Sequence, residues 1–159
     1  MPLAAAPNAE ARAQIIAQDP DYDFYQPHLS PDGRWICFMK VRVSEPGVSN
    51  IYVMPASGGE QTQITTDGFL DDKPRWSPDG KTIFFLSQRG GFFNVWGIHF
   101  AAVAGKPVGE PFRVTALESS ARMATPANQA SEMSVTANRL ALPLTELSGS
   151  IWILENVDK

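Results

Sequence analysis

Cysteine is almost missing from this 159-residue chain: Cys37 stands alone. A single thiol excludes an internal disulfide framework and any multi-cysteine metal site. Histidine is nearly as scarce, and His28 and His99 have no cysteine or paired carboxylates nearby at zinc-ligand spacing. No Gly-x-Ser-x-Gly elbow accompanies them and no Ser/His/Asp order stands out, so no catalytic residues and no metal ligands are assigned. Positive charge is also short, with 13 Lys and Arg against 17 Asp and Glu, a net charge of −4. Neutralising phosphates takes clustered cations, which argues against a nucleic-acid partner. No apolar run reaches the ~18 residues of a membrane-spanning helix, and the N-terminus, Met1-Pro2-Leu3-Ala4-Ala5-Ala6, lacks the basic and apolar regions of a secretory signal. As written, the chain is expected in the cytoplasm, with no membrane association and no cofactor. As part of a longer exported protein it would be periplasmic.

Turn residues and β-formers are plentiful. The chain has 13 prolines, 12 glycines and 10% aromatics, which suits a loop-rich β protein with a sizeable core. Ser30-Pro31-Asp32-Gly33-Arg34 recurs 47 residues later as Ser77-Pro78-Asp79-Gly80-Lys81. Each copy follows a proline-bearing segment, Gln26-Pro27-His28-Leu29 or Lys73-Pro74-Arg75-Trp76. Each precedes an apolar run, Trp35-Ile36-Cys37-Phe38 or Thr82-Ile83-Phe84-Phe85-Leu86. A polar loop then leads to Asn50-Ile51-Tyr52-Val53-Met54 or Asn94-Val95-Trp96-Gly97-Ile98, and a last short segment ends at Thr65 or Thr115. Ser, Pro, Asp and Gly in that order fit a type I turn between paired strands. A third, degraded copy has Met133 to Thr136, a turn at Ala137-Asn138, Arg139 to Leu142, and Ser150 to Leu154. Four strands per repeat at a period in the forties is the pattern of a β-propeller blade.

The Ser-Pro-Asp-Gly turn, the apolar strand after it and the Asn-Ile-Tyr-Val or Asn-Val-Trp strand resemble the TolB-type, WD40-like β-propeller repeat. The resemblance covers about residues 12–157 and is sharpest from Asp72 to Lys81. It implies an all-β fold of about three four-stranded antiparallel blades, near 25–66, 72–116 and 131–157, the last one incomplete. It also implies a non-catalytic sensor, regulatory or scaffold module that binds a protein, peptide or ligand. The alternative it implies is the propeller domain of a prolyl-oligopeptidase-like serine peptidase, without the catalytic domain.

Rings of this kind typically have about four to eight blades, so three do not close one. A spare segment, Arg12 to Ala17 within an N-terminal arm of residues 1–18, reads as either an extra strand or a short helix from about Ala9 to Gln18. As a strand it would complete the third blade of a second copy, giving a homodimeric six-bladed ring without open edges.

Within a blade, the loops between the second and third strands emerge at the same end as the links between blades. Those segments carry the large side chains Tyr22, Phe24, Tyr25, Phe69, Arg89, Phe92 and Phe93, the candidate partner-binding surface. Asp71-Asp72, at a strand start, would either hold a cationic group or brace its own loop. The four tryptophans and Cys37 are read as packing residues. The link from Leu117 to Ala130 is expected to be a mobile loop.

Overall fold

The computed structural model describes residues 13–119, 122–124, 132–146, 148–149 and 153. Blade 1 is a sheet of β1 (Tyr22–Leu29), β2 (Trp35–Arg42), β3 (Ser49–Pro55) and β4 (Thr62–Gln63), antiparallel in chain order. Blade 2 repeats it with β5 (Asp71–Trp76), β6 (Thr82–Ser87), β7 (Asn94–Ala101) and β8 (Lys106–Arg113). Two short pairs follow: β10 (Ser134–Val135) with β11 (Leu140–Ala141), and β9 (Arg122–Met123) with β12 (Thr145–Glu146). The fold is therefore all-β, with two complete blades and the first hairpin of a third. The third strand expected at Ser150 to Leu154 lies outside the described residues except for Ile153.

The two Ser-Pro-Asp-Gly turns close by the same side-chain network. Ser30 Oγ donates to Asp32 Oδ1 at 2.7 Å and accepts from Trp35 N at 3.0 Å; Ser77 Oγ does the same with Asp79 at 2.6 Å and Thr82 N at 3.0 Å. The Asp carboxylate also accepts from the backbone of Arg34 or Lys81, at 3.1 Å in both turns. Gly33 and Gly80 sit at φ 71° and 69°, in the left-handed region that a side chain disfavours. In the third repeat Thr136 Oγ1 accepts from Arg139 N at 3.0 Å, so one hydroxyl closes a hairpin two residues shorter.

A threonine hydroxyl seals the outer side of each complete blade. Thr65 Oγ1 accepts from Ile51 N at 3.0 Å, and Thr115 Oγ1 accepts from Val95 N at 2.9 Å. The threonine ending each of these two repeats thus supplies an acceptor two residues past the end of the fourth strand. The main core lies between the blades: Cys37, Ile51, Val53 and Ile64 of blade 1 face Ile83, Phe85 and Phe100 of blade 2. Trp76 crosses the seam, its ring edge-on to Phe100 at 5.1 Å and its Nε1 donating to His28 O at 3.0 Å. A second cluster, including Leu86, Val95 and Met133, joins blade 2 to the third hairpin.

Two expectations change. Residues 13–18 form neither strand nor helix; Ala17 instead packs beside Ile36, Phe38 and Met54 on the outer face of blade 1. The described part of the 117–130 link is not a loose loop. Asn94 Oδ1 accepts from Leu117 N at 2.7 Å, Ala124 is buried, and Arg122–Met123 pairs as β9.

The threonine seal predicts that Thr65→Val, nearly isosteric, strands the buried Ile51 N–H. It should cost about 1–3 kcal/mol, read as a lower urea midpoint at unchanged denaturant slope.

Candidate functional site at the loop end

At the loop end of blade 2, Arg89 enters from the turn after β6 and points inward. Its Nη2 donates to buried Asp71 at 2.9 Å, its Nη1 pairs with Asp67 at 3.1 Å, and its Nε donates to Ser87 Oγ at 3.0 Å. Three rings surround the guanidinium: Phe85 at 5.1 Å, Trp96 at 5.4 Å and Phe69 at 5.7 Å. Burial pushes the Asp71 carboxyl upward, against the opposing hydrogen bonds from Ser87, Thr65 and Arg89. Ser49 Oγ donates to Asp71 O at 2.7 Å, which fastens blade 1 to this cluster.

Blade 1 carries a counterpart 47 residues earlier. Tyr22 stands for Phe69, Phe24 for Asp71, Lys40 for Ser87 and Arg42 for Arg89. The buried cation here is Lys40, 4.1 Å from the Tyr22 ring centre and 5.1 Å from those of Phe24 and Tyr52. Asp19 at 3.1 Å and Gln61 at 2.9 Å complete its surroundings. Arg42 donates to Tyr22 Oη at 2.6 Å. Each blade thus holds one cation among three rings and an acid from the link before it.

Nearer the inner strands, Gln26 and Lys73 have φ of 51° and 54°. Each precedes a proline, which closes the right-handed helical region to it, and each sits where the strand register shifts. The bulge turns Asp72 inward, where Oδ1 accepts from Lys73 N at 2.7 Å and Oδ2 lies 3.4 Å from Lys73 Nζ. Arg75 donates to Met133 O at 2.8 Å and pairs with Glu132, tying the third hairpin to β5. Burial and the neighbouring Arg75 charge hold His28 down to about 4, and burial pushes the Cys37 thiol up to about 12.

The predicted surface therefore divides. Phe69, Asp71 and Arg89 form one internal cluster, Tyr22 and Phe24 line the Lys40 cage, and Asp72 pairs with Lys73. Phe93 packs against the Leu86–Val95 cluster. Tyr25 and Phe92 stay open to solvent, at 41% and 38% exposure. Tyr22, Phe24 and Tyr25 lie on β1, which begins inside the segment read as a link. Asp71 takes the bracing role of the two expected for the acidic pair. Lys40, Ser87, Thr65 and Trp96 were missed; a lone lysine in the apolar β2 run was the one available signal. Among the described residues no group of three His, Cys, Asp or Glu side chains could hold a metal ion.

Arg89→Ala leaves Asp71 buried without its partner and should cost about 3–5 kcal/mol, while Asp71→Leu with Arg89→Met should recover most of it; thermal melts of the single and double variants check this. His28, held low in the folded state, binds its proton more readily when unfolded. Stability should fall as pH drops from 6.5 through about 4, and His28→Gln should flatten that part of the pH–Tm curve.

The family model described as TolB beta propeller domain matches residues 8–139. Among curated proteins, the chain is 40% identical over 64 residues to the uncharacterized peptidase YuxL of Bacillus subtilis, covering 40% of this chain and 9% of that protein. It is 35% identical over 69 residues to the uncharacterized protein Atu1656 of Agrobacterium fabrum, covering 43% and 22%. It is 36% identical over 67 residues to the Tol-Pal system protein TolB of Rhizorhabdus wittichii, covering 41% and 15%. The chain thus spans under a quarter of the length of these relatives. Among solved structures, a putative TolB from Agrobacterium tumefaciens aligns with a TM-score of 0.51 at 23% identity, over 81% of this chain and 47% of that one. TolB from Acinetobacter baumannii aligns at 0.55 and 21%, over 84% and 32%. With the repeated blades, their turns and their seam, this match places the chain in the TolB β-propeller family.

Proposed function

We propose that this chain is a non-catalytic propeller module that binds a protein or peptide at its loop end. The observation that carries the reading is how the loop-end charges are spent. Arg89, Asp71 and Asp67 neutralise one another, as do Lys40 and Asp19. Beside exposed charges such as Asp23 and Arg42, what this end offers to solvent includes the rings of Tyr25 and Phe92. Aromatic anchors beside internally satisfied charges suit protein recognition, where Tyr and Phe contribute area at low entropic cost. The relative named as a component of the Tol-Pal system supports a binding role. A second reading, the propeller domain of a serine peptidase, is favoured by the relative named as a peptidase.

Panning a displayed peptide library against the full chain is expected to select ligands whose binding falls about tenfold or more in Tyr25→Ala/Phe92→Ala and is unchanged in Val103→Ala, far from the loop end. A fluorophosphonate probe is expected to label no serine. Labelling, or ligands indifferent to Tyr25 and Phe92, would overturn the binding-module reading.

A further inference from the structure

At the end of the blades opposite the loop cluster, the two Ser-Pro-Asp-Gly turns and the β7–β8 turn enclose a groove of about 650 Å³ across the seam. Its aromatic part is held in place from both sides. Trp35 stands edge-on to Phe100 at 5.4 Å. The β7–β8 turn, closed by Gly105 N donating to Ala101 O at 2.8 Å, lies so near the indole that a Cβ on Gly105 would stand 2.5 Å from it. Gly105 sits at φ 66°, so the turn closes over the ring because no side chain is there. Pro31, Pro78 and the fully exposed Val103 extend the apolar lining.

The rim has more donors than acceptors to spare. Asp32 accepts from Ser30 Oγ, Arg34 N and Arg34 Nε, and Asp79 Oδ1 accepts from Ser77 Oγ and Lys81 N. Asp79 Oδ2 is the carboxylate oxygen left over among the described residues. Against it stand Lys81 Nζ, the two terminal nitrogens of Arg34 and Trp35 Nε1, none with a hydrogen-bond partner among the described residues. The next seam serves as an internal comparison. Its groove, of about 420 Å³, has Thr82 where Trp35 stands and no cation in its lining. The combination of an aromatic floor with unspent cations therefore belongs to the first seam and not to the repeated turn as such.

We propose that this groove is a second interaction site, which takes a partner peptide presenting a bulky apolar side chain next to a carboxylate. The apolar side chain covers Trp35 and Phe100, and the carboxylate accepts from Lys81 and Arg34 at the rim. Ring area supplies most of the attraction, and the charge-assisted hydrogen bonds set the orientation. Blades 1 and 2 form the site entirely between them. It lies at the other end of the blades from Tyr25 and Phe92, so it and the loop-end reading fail separately.

Heteronuclear NMR of the isotope-labelled full chain is the test, with the capped peptides acetyl-Gly-Phe-Glu-Gly-amide and acetyl-Gly-Phe-Gln-Gly-amide as probes. The glutamate peptide is expected to shift the Trp35 indole and Val103 amide signals to saturation, leaving those of Tyr25 and Phe92 in place. Replacing it by the glutamine peptide, or introducing Lys81→Gln with Arg34→Gln into the protein, should weaken binding about fivefold or more. The proposal is overturned if millimolar peptide leaves Trp35 and Val103 unmoved or shifts Tyr25 and Phe92 alone. It is equally overturned by equal binding of the two peptides, by binding indifferent to Lys81→Gln with Arg34→Gln, or by phenylpropionate binding as tightly as the peptide, which would mark a small-acid pocket.

Discussion

Everything in this molecule depends on one contact, the packing of one sheet face against the next. A four-stranded sheet has two faces and no interior, so its apolar side chains need a cover. The largest buried cluster forms where Cys37, Ile51, Val53 and Ile64 meet Ile83, Phe85, Ile98 and Phe100. The small and aliphatic side of one blade receives the bulky aromatic side of the other, which lets the faces interdigitate. Direction follows: each blade has a receiving face and an inserting face, and the order of blades around the axis is fixed by that polarity. Trp76 reinforces it by donating across the seam to His28 O, and Ser49 does so at the loop end by donating to Asp71 O.

The buried charges make sense against that seam. Arg89 lies on the face of blade 2 that meets blade 1, toward its loop end, where a purely apolar surface would slide, whereas Lys40 holds the corresponding place on the side of blade 1 away from blade 2. A cation held by rings on several sides and by an acid from the preceding link fixes one lateral position. The pair of blades thus combines an apolar contact that supplies most of the stabilisation with a polar peg that sets its alignment.

Much of this was legible in the sequence, because the Ser-Pro-Asp-Gly turn fixes its own geometry with local atoms. Ser, Asp and Gly satisfy the turn within five residues, so the two copies 47 residues apart predicted the same hairpin, and the structure has it. The terminal Thr of each repeat was visible too, although its role as an acceptor past the end of the fourth strand was not. The site residues were harder to place. Arg89 read as part of a loop-end binding surface, and Asp71 with Asp72 as holding a cationic group or bracing its own loop; the burial of Asp71 and Arg89 beside one another depends on Ser49, Phe69 and Trp96, which come from other segments. The left-handed backbone at Gln26 and Lys73 was not legible, since neither residue type favours it; the bulge before the proline imposes it. The arm was misread because its alanines favour regular structure locally, whereas its position is set by the face it lies on.

β8, the outermost strand of blade 2, carries Pro107 and Pro111 with Gly109 at φ 73° between them, and its register against β7 shifts. Proline has no N–H to offer, and an irregular strand cannot present an even row of acceptors. The rim of this blade is therefore a poor template for another chain's backbone. A molecule built from sheets ordinarily risks growing sideways through its edge strands; at the rim of blade 2 such growth is opposed at the covalent level.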